Sequence, residues 1–183
     1  MCPKGVMMDS GLIMNERIVR MDENLMTICD IASEEDVRFM REALLLAKDA
    51  SRRGEIPIGC VIVQNGDIIA GSGNTREQLQ DATGHAEMEA IREACRVIGF
   101  WRLNDCDLYV TLEPCLMCAG AMIQARIRRC CFGAYDPKSG MAGSVANVFA
   151  LPSNHRVAVT GGVMAEECGD LLRDFFAKRR NKQ

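Results

Sequence analysis

The chain has 183 residues, 48% hydrophobic and 26% charged, which fits one globular domain with a substantial core. No stretch approaches the roughly 18 apolar residues of a membrane span and no signal-peptide apolar core is visible, so a cytoplasmic chain without a membrane partner is expected. The net charge of −3 conceals an asymmetry: residues 1–120 carry 12 Lys/Arg against 20 Asp/Glu, whereas residues 121–183 carry 10 against 5. The C-terminal third is therefore the candidate face for a polyanion, although on charge alone a solvated surface fits equally well.

Residues 1–32 are rich in Met (Met1, Met7, Met8, Met14, Met21 and Met26) and lack sustained periodicity. They are expected to be a poorly ordered N-terminal extension to a domain at 33–183. Ser33-Glu34-Glu35-Asp36 resembles a capping box, and Val37, Met40, Leu44 and Ala47 follow at helical spacing to about Arg52. Gly54-Glu55-Ile56-Pro57 then turns the chain into two strands, Ile58–Val63 and Ile68–Ala70, joined through Asn65-Gly66 as a hairpin. Gly71-Ser72-Gly73-Asn74 leaves the second strand where a ligand can approach the backbone, and a polar loop, Thr75–Thr83, follows.

From His85 the pattern is helical, with Met88, Ile91, Cys95 and Ile98 on one face and Gly99 as the stop. A third strand at Asp107–Leu112 ends at Glu113-Pro114. Pro114 suits the first turn of the next helix, Cys115 to about Ala125, where Ala119-Gly120-Ala121 permits close packing. Arg129–Ala134 and Arg156–Thr160 read as the fourth and fifth strands, separated by the Gly-rich loop Tyr135–Gly143. The last helix runs from about Glu166 to Arg180, with Leu171, Leu172, Phe175 and Phe176 on its apolar side. Strands alternating with helices predict an α/β fold, a mixed sheet covered by helices.

Ten cysteines without a secretion signal are expected to be mostly small buried hydrophobes, not a disulfide framework. The vicinal pair Cys130-Cys131 lies on a strand, so its side chains should point to opposite faces. Cys115 and Cys118 differ from the rest. At i and i+3 they share a face of a helix's first turn, and with His85 they make a zinc ligand set one short of tetrahedral. The fourth position is then left for water, and Glu87 is better used as a proton carrier than as a ligand that closes the site. Alone, the C-x-x-C is equally a redox pair or half of a structural zinc site. His155 has no ligand spacing to the cysteines and reads as structural or surface-bound, and Glu113 reads as a structural carboxylate beside Pro114.

The His85-Ala86-Glu87 and Pro114-Cys115-Leu116-Met117-Cys118 spacing resembles that of zinc-dependent nucleobase deaminases. Glu55-Ile56-Pro57-Ile58-Gly59, Leu112-Glu113 and Ala119-Gly120-Ala121 extend the likeness. So do Phe132-Gly133-Ala134, Asp136-Pro137-Lys138-Ser139-Gly140, Asn154-His155-Arg156-Val157 and Phe175-Phe176. Over residues 34–180 the chain is similar to the bacterial tRNA-specific adenosine deaminases of the cytidine-deaminase-like superfamily. The resemblance implies a three-layer α/β/α fold with a mixed five-stranded sheet, one Zn2+ per subunit and a homodimer. It implies hydrolysis of the wobble adenosine of a tRNA anticodon, on an arginine tRNA, to inosine. His85, Cys115 and Cys118 would hold the zinc, and Glu87 would carry protons. Asn74, Asp136, Lys138, Phe176, Lys178, Arg179 and Arg180 would contact the anticodon stem-loop. The sequence departs at Thr75-Arg76, where relatives often have Arg-Pro, and in its longer N-terminus.

A small-molecule deaminase acting on guanine, cytosine or cytidine would share the zinc motif but need no basic C-terminal helix. A zinc-stabilised RNA-binding module would need neither Glu87 nor an open fourth position. Cations also suit a helix C-terminus for its dipole alone, which is the plain structural account of Lys178-Arg179-Arg180.

Overall fold

The structure, a computed structural model, describes residues 32–180. The extension expected at 1–32 falls outside that range except for Ala32. The first helix, α1 (Glu34–Arg52), opens with the predicted capping box: Ser33 Oγ accepts from the Asp36 amide, and the Asp36 carboxylate accepts from the Ser33 amide. The hairpin β1 (Gly59–Gln64) and β2 (Asp67–Gly73) turns at Asn65 and Gly66, with φ of 53° and 83°. Both residues are left-handed, as the favoured two-residue hairpin turn requires.

The segment expected to be a polar loop contains a one-turn helix, α2 (Arg76–Leu79). Its N-cap, Thr75, makes no side-chain capping bond, and a single turn is too short to leave a helical periodicity in the sequence. Then come α3 (Ala86–Ile98), β3 (Cys106–Leu112), α4 (Leu116–Ala125) and β4 (Arg129–Ala134). A short 3-10 turn at Val148–Ala150, not foreseen, precedes β5 (Ala158–Thr160) and the final helix α5 (Ala165–Arg180). Pro114 stands before the N-cap Cys115 rather than inside the first turn of α4.

The five strands form one sheet in the order β2-β1-β3-β4-β5. The pairs β1/β2 and β1/β3 are antiparallel, and β3/β4 and β4/β5 are parallel. Alternate strand residues feed two cores. Cys60, Ile62, Leu108, Val110 and Cys130 pack with α3 and α4 on one face, and Val61, Val63, Tyr109 and Cys131 pack with α1 and α5 on the other. The expected three layers are present, and Cys130 and Cys131 do point to opposite faces.

The face α3 buries is Ala86, Glu87, Ala90, Ile91 and Ala94; the larger Met88, Cys95 and Ile98 are only partly covered. A stripe of alanines lets the helix lie close to the sheet, so the residues chosen by hydrophobic bulk are not the ones most deeply buried. α1 approaches β1 closely too: a Cβ at Gly59 would collide with the Ala43 carbonyl and the Ala47 amide. Gly120 of α4, in contrast, faces open space and is not a packing contact. Among the described residues no helix is long and apolar enough to cross a membrane.

Candidate active site

Two helices begin at one place. His85 is the N-cap of α3 and Cys115 the N-cap of α4, and neither side chain caps its own helix. Both are extended in backbone, so both side chains can turn toward a common point, and Cys118 joins them from one turn into α4. His85 Nδ1 lies 3.5 Å from Cys118 Sγ and 3.7 Å from Cys115 Sγ, and the two sulfurs are 3.7 Å apart. A tetrahedral zinc with ordinary Zn–S and Zn–N bonds needs edges of about 3.8 Å between sulfurs and about 3.6 Å from sulfur to nitrogen. The three donors therefore already stand at zinc spacing, through Nδ1 of the imidazole.

The electrostatics ask for a cation. The hydrogen bond from Cys118 holds the Cys115 thiol down to about 4 against the opposing effect of burial. Cys118, donating that bond and buried, is pushed up. Without a cation the pair keeps one proton; a dication between two thiolates removes the reason for keeping it. Glu87, in the first turn of α3, is 4% exposed, and burial raises its carboxyl above the usual range. Its Oε2 is the one buried side-chain N or O among the described residues with no hydrogen-bond partner. A buried polar atom left in this way is normally costly, and here it stands beside the three metal-seeking groups.

His85, Glu87 and Cys115 form the floor of a cavity of about 1300 Å3, with Cys118 fully buried behind them. Of the residues expected to contact RNA, Asn74, Asp136, Lys138, Phe176, Arg179 and Arg180 line it. Lys178 does not. Arg173, Phe176, Arg179 and Arg180 follow one another at helical spacing on the cavity side of α5, and Lys178 falls off that face. Phe176 is 42% exposed while Phe175 is half-buried. Asp136 spends its carboxylate inside its own loop, accepting from the Lys138 and Ser139 amides and from the Ser139 hydroxyl. His155 is structural as expected: its Nε2 lies 2.7 Å from the Ile127 carbonyl.

Sequence reasoning missed Arg76, Tyr135 and Arg173 on the cavity wall. It also missed how far Glu113 reaches. The Glu113 carboxylate accepts from the amides of Asp136, Ala142 and Ser144 and from the Ser144 hydroxyl, pinning the 136–144 loop beside the floor. Gly140 is required there, because a Cβ would collide with that carboxylate. The Asp-Pro-Lys-Ser-Gly stretch was the available signal, but its partner Glu113 lies 23 residues before Asp136.

A pair of N-caps converging on a His/Cys/Cys set, with a buried carboxylate beside it, agrees with comparison to known families. The cytidine and deoxycytidylate deaminase zinc-binding region matches residues 33–134, so the chain belongs to that class of zinc-binding deaminases. A tRNA-specific adenosine deaminase of Bacillus subtilis is 48% identical over 150 residues, covering 81% of this chain and 93% of the relative. One from Agrobacterium fabrum is 47% identical over 80% of this chain and 97% of its own length. A structure from a study of A-to-I editing by tRNA:A34 deaminases at the wobble position superposes with a TM-score of 0.72 at 47% identity, covering 74% of this chain and 99% of the other. The chain is a member of the tRNA-specific adenosine deaminase family.

Proposed function

We propose that this chain hydrolyses the wobble adenosine of a tRNA anticodon to inosine, with an arginine tRNA as substrate. The observation that carries the reading is the open-sided His85/Cys115/Cys118 cluster with Glu87 beside it, on the floor of a cavity whose wall holds Arg76, Lys138, Arg173, Arg179 and Arg180. The zinc ligands on this reading are His85 Nδ1 and the thiolates of Cys115 and Cys118. Bound zinc makes a water acidic enough to act as a nucleophile near neutral pH. Glu87 would take one proton from the attacking water and deliver it to the purine ring, then take the second from the hydroxyl newly bonded to C6 and pass it to the departing amine. The C6–N6 bond breaks, a C6–O bond takes its place, and ammonia leaves, so adenosine and water give inosine and ammonia. The buried setting of Glu87 favours its taking up a proton, as a shuttle must.

Asn74 contacts the base, and Lys138, Phe176, Arg179 and Arg180 hold the stem-loop around it; Asp136 shapes its loop. A target already unpaired in an anticodon loop costs less to extrude than one in a duplex. Residues 33–183 are the deaminase domain and residues 1–32 an extension to it; the enzyme works in the cytoplasm beside its substrate. It acts as a homodimer: α4 leaves Leu116 59% exposed and Gly120, four residues on, uncrowded, and a second copy covers them. Sedimentation of the purified chain as a monomer at micromolar concentration would remove that part of the reading.

The decisive assay incubates zinc-loaded protein separately with an A-wobble anticodon stem-loop, adenosine, guanine and cytosine. Inosine and ammonia from the stem-loop alone are expected. Turnover of a free base or nucleoside with none of the stem-loop would replace this reading with a small-molecule deaminase.

A further inference from the structure

Glu55 lies in the turn between α1 and β1 and has no exposed surface. A carboxylate buried without a cation is expensive, and no basic side chain among the described residues forms an ion pair with it. Its oxygens accept three N–H groups instead. Oε1 takes the Gln78 amide at 2.7 Å; Oε2 takes the Glu77 amide at 3.1 Å and Asn74 Nδ2 at 3.2 Å. Asn74 is only 2% exposed, its own amide donates to the Ile58 carbonyl at 3.0 Å, and it lines the catalytic cavity. Two bonds thus tie one asparagine to one short segment, Glu55–Ile58.

We infer that Glu55 is a positioning residue, fixing which edge of the Asn74 side chain the substrate meets. A carboxylate only accepts, so the amide cannot be reversed: Nδ2 must face Glu55. Oδ1 and the second Nδ2 hydrogen are then left for a ligand, an acceptor and a donor side by side. That pair complements the N6 amine and N7 of adenine and mismatches the two acceptors, O6 and N7, of guanine or hypoxanthine. The adenine consequence rests on the adenosine deaminase reading; the orientation of Asn74 does not. Without Glu55 the amide is free to turn over, and the site loses its preference for substrate over the deaminated product.

Two measurements on the full zinc-loaded chain test this. In nuclear magnetic resonance spectra of the free protein, one of the two Asn74 side-chain amide protons should be shifted downfield and protected from exchange. Both signatures should vanish in Glu55→Ala and weaken in Glu55→Gln. In a double-mutant cycle on the stem-loop, Glu55→Ala should lower kcat/KM by roughly tenfold or more, yet by less than about threefold when Asn74→Ala is already present. Zinc content should be unchanged throughout, and Glu55→Gln carries the same cycle if the alanine variant does not fold. Additive losses, or an unprotected Asn74 amide in the wild-type protein, would overturn the assignment. If the wild type deaminates no stem-loop, the adenosine reading fails while the amide resonances still decide the role of Glu55.

Discussion

The floor and the wall of the cavity hold their polar groups in different ways. At the floor, His85, Cys115 and Glu87, with Cys118 buried behind them, issue from the first turns of α3 and α4, short side chains on rigid elements. On the wall, Arg179 and Arg180 are long, exposed side chains at the end of α5. Chemistry needs atoms fixed to a fraction of an ångström, whereas an RNA backbone can be met by flexible cations. Two buried carboxylates show the same division inside the protein. Glu113 has every oxygen bonded and holds a loop; Glu87 keeps one oxygen free beside the His85/Cys115/Cys118 cluster.

The sharpest way to break this comparison is Glu87→Ala. Deamination should fall by about 10²–10⁴-fold or more with zinc content and thermal stability kept. Activity within tenfold of wild type at full zinc occupancy would move Glu87 out of the chemistry. Next in size, Cys115→Ala or Cys118→Ala should lose zinc and loosen both helix ends, while Cys60→Ala and Cys106→Ala, buried but outside the cluster, should retain it. Elemental analysis separates the two sets, and equal loss in both would mean the ligands are misassigned.

A fixed polar network on the opposite face of the sheet gives a test without substrate. Asp36, 2% exposed, accepts from Arg129 at 2.6 Å and from the Tyr109 hydroxyl at 3.0 Å. Burial pushes its carboxyl up, but the bonds from Arg129 and Ser33 win and hold it below the ordinary value. A depressed pKa contributes stability that is fully present above the unfolded value near 4 and is lost as pH falls through the folded one. Melting temperature should therefore drop steeply below about pH 4, and Asp36→Asn should flatten that drop. At neutral pH the variant should cost roughly 2–4 kcal/mol, under the fully buried range because Arg129 keeps 28% exposure. An unchanged acid limb in the melting profile would show that other carboxylates govern it.

The smallest effects belong to the wall. Arg179→Gln and Arg180→Gln should each weaken stem-loop binding and reduce the salt slope by about 0.7–0.9, whereas Lys178→Gln, off the cavity face, should change neither. Equal effects from all three would make general charge, not position, the cause.

How much was legible follows from the range of each interaction. The His/Cys/Cys cluster and its neighbouring carboxylate were, because His85 and Glu87 stand at i, i+2 and Cys115 and Cys118 at i, i+3, at two helix starts. So were the hairpin and the capping box, which are local. The Asp36–Arg129 bond spans 93 residues and the Glu55–Asn74 bond 19, and neither leaves a periodic trace. The alanine face of α3 escaped because closeness of approach, not hydrophobic bulk, selects those residues. On α5 the run Lys178-Arg179-Arg180 reads as one patch in sequence, but a helix distributes three consecutive residues around its circumference.

The opposed side chains of Cys130 and Cys131 also make a native pair of reporters. Adjacent on one strand, one thiol is sealed under α3 and α4 and the other under α1 and α5. A thiol-modifying reagent reaches Cys130 only when the first pair of helices lifts and Cys131 only when the second does. The ratio of their labelling rates therefore measures which layer opens more often, with zinc binding expected to slow Cys130 the more.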